Sequence, residues 1–130
     1  DILVAITPGG AETRHLVNRE AFALMKPTAI LINTARGEIV DETALIEALQ
    51  TGKLAGAGID VLEDEIHPDN HPLWQCDNVI VTPHVAAITD VTYREMCVTT
   101  AAEVIRILRG AAPTPHLVRN PAVLNNRRPL

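Results

Sequence analysis

The sequence predicts an α/β domain built on a parallel sheet, and three observations carry that expectation. Ala29-Ile-Leu-Ile32 is an uninterrupted apolar run that turns polar at once, the pattern of a strand buried on both faces. Other short apolar runs alternate with segments of helical periodicity, and this alternation implies right-handed βαβ crossovers. Apolar residues make up 47% of 130 residues while aromatics make up 2%, so the core is one of Leu, Ile, Val and Ala.

The elements follow in order. Asp1–Ile6 reads as a short buried strand that ends in the loop Thr7-Pro8-Gly9-Gly10. Asn18 caps a short helix over Arg19–Met25, which Lys26-Pro27 terminates. The Ala29–Asn33 strand comes next, and Gly37 after it is free to adopt a tight turn. Asp41 caps a helix with the stripe Ala44, Leu45, Ala48 and Leu49, closed by Gly52. Leu54–Val61 is a third strand whose small residues allow close packing beneath a helix. The connection from Asp60 to Asn78 is an acidic loop with helical character only at Pro72–Gln75. Asn78–Val81 is the fourth strand, closed by Thr82-Pro83-His84. A long helix spans Asp90–Arg109, with Cys97, Ala101, Val104, Ile105 and Leu108 on one stripe and Gly110 after it. The proline-rich tail has no periodicity and is expected to pack as irregular chain.

Composition narrows the function. A net charge of −5 without a basic cluster argues against nucleic acid and anionic membranes as partners. No apolar run reaches membrane-spanning length, and the start does not resemble a signal peptide. Cys76 and Cys97 lack metal-type spacing and fit a reducing, cytoplasmic setting. The chain opens at Asp1 directly into a strand and is expected to be a fragment of a longer protein.

In a parallel sheet the strand ends of one polarity share one edge, where ligands bind. The predicted strands end there at Thr7-Pro8, Thr34-Ala35-Arg36-Gly37, Asp60 and Thr82-Pro83-His84, and Glu65 can reach the same edge. Arg36 suits a small carboxylate or keto acid, or else it pairs with a neighbouring acid in a loop. His84 suits proton transfer, or else it is an ordinary loop residue. Glu65 would orient the imidazole and favour its charged form. Asp60 either joins this site or caps the following turn. Glu63–His71 holds two histidines and four acids, but their order fits no standard metal site, and a solvated acidic loop is the simpler reading. No metal, serine nucleophile or reactive cysteine is needed. Gly9-Gly10 is no phosphate loop, because no Gly-x-Gly-x-x-Gly follows a strand.

Ala23-Leu-Met-Lys-Pro27, Ala29–Gly37 with Val40-Asp41-Glu42, Gly58-Ile-Asp-Val61, Glu65, His71-Pro-Leu73 and Asn78–Ala86 together closely resemble the D-isomer-specific 2-hydroxyacid dehydrogenases, over roughly residues 1 to 112. The resemblance implies the second half of a doubly wound, Rossmann-type sheet, part of a two-domain protein. It divides the chain into residues 1–88 of the cofactor domain, an interdomain helix at 89–110, and a tail at 111–130 joining the substrate domain. It places the catalytic arginine, glutamate and histidine on Arg36, Glu65 and His84. It puts the nicotinamide-carboxamide aspartate on Asp60 and cofactor contacts on Thr7, Pro8, Thr34, Ala35, Arg36, His84 and Ala87. It implies D-specific hydride transfer between NAD or NADP and a small 2-keto or 2-hydroxy acid, in a cytoplasmic homodimer. Glutamate rather than glutamine at 65 disfavours the formate-oxidising branch. Some members of such a family act instead as cofactor-sensing corepressors, and an inactive fragment is a further alternative. Two departures stand out. Gly9-Gly10-Ala11 replaces the usual leucine-threonine-proline, implying a looser loop, and Ala87 replaces a common glycine. The N-terminal part that would supply the pyrophosphate turn is expected to cover the Asp1–Ile6 edge, and this piece alone is expected to aggregate, self-pair or misfold.

Overall fold

The computed structural model describes residues 1–64 and 69–122. The chain divides into two compact units, Asp1–Ala86 and Ala87–Leu130.

The first unit holds four parallel strands in the order of the chain: β1 (Ile2–Ala5), β2 (Ile30–Asn33), β3 (Gly56–Ile59) and β4 (Val79–Val81). Helix α1 (Arg19–Leu24) connects β1 to β2, and α2 (Glu42–Gln50) connects β2 to β3. Both caps act as expected. The Asn18 side chain accepts from the Ala21 N–H and that of Asp41 from the Ala44 N–H, satisfying donors with no partner inside the first turn. Among its described residues the connection into β4 carries a 3-10 turn at Pro72–Gln75. All three connections return to a parallel neighbour, and α1 and α2 share one core with the sheet. Helices on one face of a parallel run are what half of a doubly wound sheet carries.

That core contains Phe22, Leu31, Leu45, Leu54, Ile59 and Leu73, with Ala44, Ala48 and Leu49 completing the α2 stripe. The opposite face differs from the expectation of strands buried on both sides. Ile30 is 39% and Ile80 is 74% exposed, and a small separate cluster of Ala5, Ala35 and Ile39 is buried apart from the main core. Period-two alternation sends Leu31 toward the helices and Ile30 and Ile32 the other way. The small residues of β3 meet the expectation in part, since Ala57 lies in the core shared with the helices. A Cβ on Gly58 would lie 3.0 Å from Ile32 Cδ1, so this glycine makes room for the neighbouring strand's side chain, not for a helix. One pairing has no counterpart in the periodicity. Val17 bridges Val40 in parallel, and the His15, Val17 and Asp41 N–H groups bond across it to Glu38, Ile39 and Val17 carbonyls.

In the second unit, α3 (Asp90–Leu108) begins in a capping box between Thr89 and Thr92. None of the residues in its predicted apolar stripe is buried. The segment after it contains a 3-10 turn at Pro115–Leu117, where irregular chain was expected. Thr114 ties this segment back to α3 through Glu103, whose carboxyl sits below the usual range because the Thr114 N–H and hydroxyl bond to it and Arg106 lies near. Among the described residues no helix is long and apolar enough to cross a membrane.

Candidate active site

Parallel register puts the carboxyl ends of all four strands on one edge. Thr7-Pro8 follows β1, Thr34-Ala35-Arg36 follows β2, Asp60 follows β3, and Thr82-Pro83-His84 follows β4. Arg36 and His84 leave strands that flank β3, about 10 Å apart at the usual interstrand spacing. Glu65 lies outside the described residues.

The Arg36 loop is held by Asn33, the last residue of β2. Its side chain is 1% exposed, accepts from the Ala35 N–H at 3.1 Å and donates to the Arg36 carbonyl at 3.0 Å. Gly37 then meets the chain leaving β3. A Cβ there would lie 1.9 Å from the Leu62 carbonyl oxygen and 2.4 Å from the Glu63 nitrogen. The glycine of this motif therefore serves close backbone approach; the positive-φ glycines are Gly10, Gly52 and Gly110. The tight turn expected at Gly37 is present as a 3-10 turn over Gly37–Ile39, with the Ile39 N–H bonding to the Arg36 carbonyl and the Val40 N–H to that of Gly37. The Arg36 side chain is exposed and donates to the Ala35 carbonyl at 2.6 Å. No carboxylate among the described residues pairs with it, so the loop ion pair has no partner there.

The loop beside it is not loose. A Cβ on Gly9 would lie 2.6 Å from Glu38 Oε1 and 2.9 Å from Arg36 Cγ, so the missing side chain lets both close in. Thr13 Oγ1 donates to the Pro8 carbonyl at 2.8 Å, and the N–H groups of Thr13 and Arg14 bond to Gly10. Arg14 and His15 both reach Glu63 Oε1, at 2.7 and 2.9 Å.

The His84 loop is held from the neighbouring strand. Asp60 is 5% exposed, and its Oδ1 accepts from Thr82 Oγ1 at 2.5 Å and the Val85 N–H at 2.9 Å. Its Oδ2 accepts from the Ala86 N–H at 2.9 Å, and its backbone carbonyl accepts from the His84 N–H. Burial opposes ionisation of this carboxyl, but the Thr82 hydroxyl, the two N–H groups and the nearby His84 together hold it below the usual Asp range. Held this way, His84 takes φ 55°, a left-handed conformation that costs a non-glycine residue energy and is concentrated at functional sites. Asp60 therefore organises the loop after the next strand, not the turn that follows it in sequence.

A cleft of ≈ 320 Å³ opens at this end, lined by Asp60, Leu62, Trp74, Thr82, Pro83 and His84 among others. Asp60, Thr82 and His84 supply its polar side chains. Arg36, Thr7, Pro8, Thr34 and Ala35 lie outside its lining; Ala35 is buried, and the other four are exposed. Ala87 opens the second unit, where its carbonyl accepts from Thr92 Oγ1. Cys76 is not an activated thiol, because burial and then Asp77 push its pKa up. No group of three or more metal-type ligands occurs among the described residues.

Three structural residues escaped the sequence reading. Asn33 was legible as the polar end of an apolar strand. His71 and Trp74 carried only the weak signal of a His-Pro-Leu-Trp turn. His71 is 8% exposed, accepts from the Leu73 N–H at Nδ1, meets Glu42 through Nε2 at 2.9 Å, and packs on Trp74 with ring centroids 5.3 Å apart.

The family model described as "D-isomer specific 2-hydroxyacid dehydrogenase, NAD binding domain" matches residues 1–86. A glyoxylate reductase of Thermofilum pendens is 46% identical over 127 residues, covering 98% of this chain, and the chain spans 37% of that protein's length. A D-lactate dehydrogenase from Lactobacillus jensenii, solved with NAD+, superposes with a TM-score of 0.77 at 39% identity, over 85% of this chain and 37% of that one. A D-lactate dehydrogenase from Aquifex aeolicus, complexed with NAD and lactic acid, gives a TM-score of 0.77 at 38% identity, over 85% of this chain and 38% of that one. With half of a doubly wound sheet, the strand-end loops in register and a family match across the whole first unit, the chain belongs to the D-isomer specific 2-hydroxyacid dehydrogenases, through the NAD binding domain of that family.

Proposed function

We propose that the protein to which this chain belongs transfers a hydride between NAD(H) or NADP(H) and a small 2-keto or 2-hydroxy acid, with D specificity. The observation that carries the reading is the pairing of loops at one sheet edge. An exposed guanidinium follows β2, and a histidine held in left-handed backbone follows β4. Arg36 would bind the substrate carboxylate and polarise its carbonyl. His84 would give a proton to the carbonyl oxygen during reduction and take it back during oxidation. Glu65 would orient the imidazole and favour its charged form.

The residues present fit the nicotinamide end of a cofactor. A carboxylate offers about four acceptor positions, and three on Asp60 are used by its own loop. The remaining position suits a carboxamide N–H. When bound, the cofactor supplies or accepts the hydride; the protein supplies orientation and charge. Thr7, Pro8, Thr34, Ala35 and Ala87 complete the contacts in this reading.

The reading assigns residues 1–88 to the cofactor domain, 89–110 to an interdomain helix and 111–130 to the substrate domain. It places an N-terminal part of the same protein against β1, supported by the 66%, 38% and 49% exposure of Ile2, Leu3 and Val4 on that outer strand. A cytoplasmic homodimer belongs to the same reading, with the free thiols of Cys76 and Cys97 as support for a reducing compartment.

The test uses the protein as its source makes it, assayed with NADH and NADPH against glyoxylate, pyruvate and hydroxypyruvate. His84→Gln is expected to abolish turnover while NADH affinity is retained. Unchanged turnover overturns the role of His84, and no keto-acid-dependent oxidation by the unaltered protein overturns the reading.

A further inference from the structure

The segment that links β1 to α1 runs beside the chain that follows Arg36. Val17 bridges Val40 in parallel, and the His15 N–H bonds to the Glu38 carbonyl at 2.7 Å, so backbone pairing carries Arg14 alongside Glu38. The Arg14 guanidinium meets two carboxylates at once. Its Nη2 donates to Glu63 Oε1 at 2.7 Å, and its Nη1 lies 3.8 Å from Glu38 Oε2. Glu63 is a fixed anchor for the first contact, since its backbone N–H bonds to Glu42 Oε2 at 3.1 Å and His15 Nε2 meets its Oε1 at 2.9 Å. Glu38 stands two residues beyond Arg36. Its Oε1 and Arg36 Cγ lie 2.6 and 2.9 Å from one point, the position a Cβ on Gly9 would take. From Cγ onward the Arg36 side chain has the length to reach that carboxylate, and opposite charges at such range attract. No carboxylate among the described residues pairs with Arg36, however; it donates to the Ala35 carbonyl instead.

We propose that Arg14 is a positioning residue for Arg36: anchored on Glu63 at one end, it occupies Glu38 with the other and leaves the Arg36 guanidinium open to the carboxylate of the keto acid. The inference rests on the hydride-transfer reading above. Exposed ion pairs exchange partners readily, because each is worth little against water and competing charges. A guanidinium that must take a ligand carboxylate, two residues from a glutamate, therefore needs that glutamate engaged elsewhere. The planar fork of an arginine suits the task, since its two ends can face different carboxylates. The contact to Glu38 is too long for a hydrogen bond and acts as a charge pair. It also reduces the repulsion that Glu38 exerts on an incoming anion. Gly9 belongs to the same arrangement. Thr13 Oγ1 donates to the carbonyls of Pro8 and Gly10 at 2.8 and 3.2 Å, and the bare Cα held between them lets Glu38 and the Arg36 stem come close together.

The experiment is a rescue cycle in the protein as its source makes it, read on whichever of glyoxylate, pyruvate and hydroxypyruvate the unaltered protein reduces. Arg14→Gln is expected to raise KM for the keto acid about two- to fivefold, the scale of one exposed charge pair, with kcat and KM for NADH unchanged. Glu38→Gln alone is expected to leave all three at their wild-type values. Adding Glu38→Gln to Arg14→Gln is expected to restore the keto-acid KM, because no carboxylate then competes for Arg36. If Arg14→Gln melts early, Arg14→Lys carries the same two expectations, since a lysine keeps a donor for Glu63 but has no second end for Glu38. A raised KM that persists in the double variant, as a purely structural tie to Glu63 would give, overturns the proposal. So does a wild-type KM in the single Arg14 variant. Arg36→Gln separates this inference from the reading beneath it: an unchanged keto-acid KM there overturns the role of Arg36 itself, and the proposal with it.

Discussion

The two loops that carry Arg36 and His84 do the same job by different means. The Arg36 loop is clamped by Asn33, a neutral amide two and three residues away in sequence. The His84 loop is clamped by Asp60, a carboxylate reaching from β3 to groups 22 to 26 residues distant. The first clamp forms within one turn of chain and leaves Arg36 in ordinary extended backbone. The second requires β3 and β4 to be paired, and it holds His84 in a conformation the residue would not choose alone. A local clamp presents a side chain; a non-local clamp can also strain one.

The non-local clamp is the more vulnerable of the two, and Asp60 is its centre. Asp60→Ala leaves a hydroxyl and two N–H groups without their acceptor, and is expected to cost about 3 kcal/mol or more in urea melts of the full chain. Activity should fall with it, because His84 loses its backbone support. A cost below about 1 kcal/mol would mean that water replaces the carboxylate without loss. At the other loop the largest effect belongs to the backbone contact. Gly37→Ala forces a Cβ into the Leu62 carbonyl and is expected to cost about 2–3 kcal/mol, while displacing Arg36 and raising KM for the keto acid. Unchanged stability would show that the 62–63 peptide can retreat.

Asn33→Ala removes the neutral clamp and is expected to cost about 1–2 kcal/mol. Combined with an Asp60 substitution it should be additive within about 0.5 kcal/mol; a larger coupling would make the two loops one unit. The smallest effect separates the clamps by charge. The Asp60 carboxyl is held below its ordinary value of 3.8, so between the two values the unfolded chain binds more protons than the folded one. This contribution is fully present above the ordinary value and is lost as pH falls through the folded one. Acid titration of stability should therefore show a component that Asp60→Asn flattens and Asn33→Ala leaves intact.

Much of the architecture was legible because it rests on short-range rules. Caps at Asn18 and Asp41, the stripe of α2 and the termination at Gly52 follow from spacing within a few residues, and each takes the predicted place. The parallel sheet follows from alternation of runs, and the family motif from order along the chain. The misses share a cause. Periodicity marks the faces of α3 and the outer side of β2 as apolar, but it carries no information about what covers them. The small residues of β3 announce close approach without saying from which side. The Gly9-Gly10 segment reads as loose, whereas Thr13 bonds to the carbonyls of Pro8 and Gly10 that flank Gly9.

Sequence alone determined the parallel sheet, the helix limits to within a residue and the residue types at the strand ends, since these depend on local propensity, handed crossovers and strand polarity. Tertiary structure alone decided that Asp60 grips the His84 loop, that Gly37 admits the Leu62–Glu63 peptide, and that Glu42 bridges Glu63 to His71. Each is a contact between segments about 20 to 30 residues apart, formed only after strand pairing has removed the freedom of the chain between them.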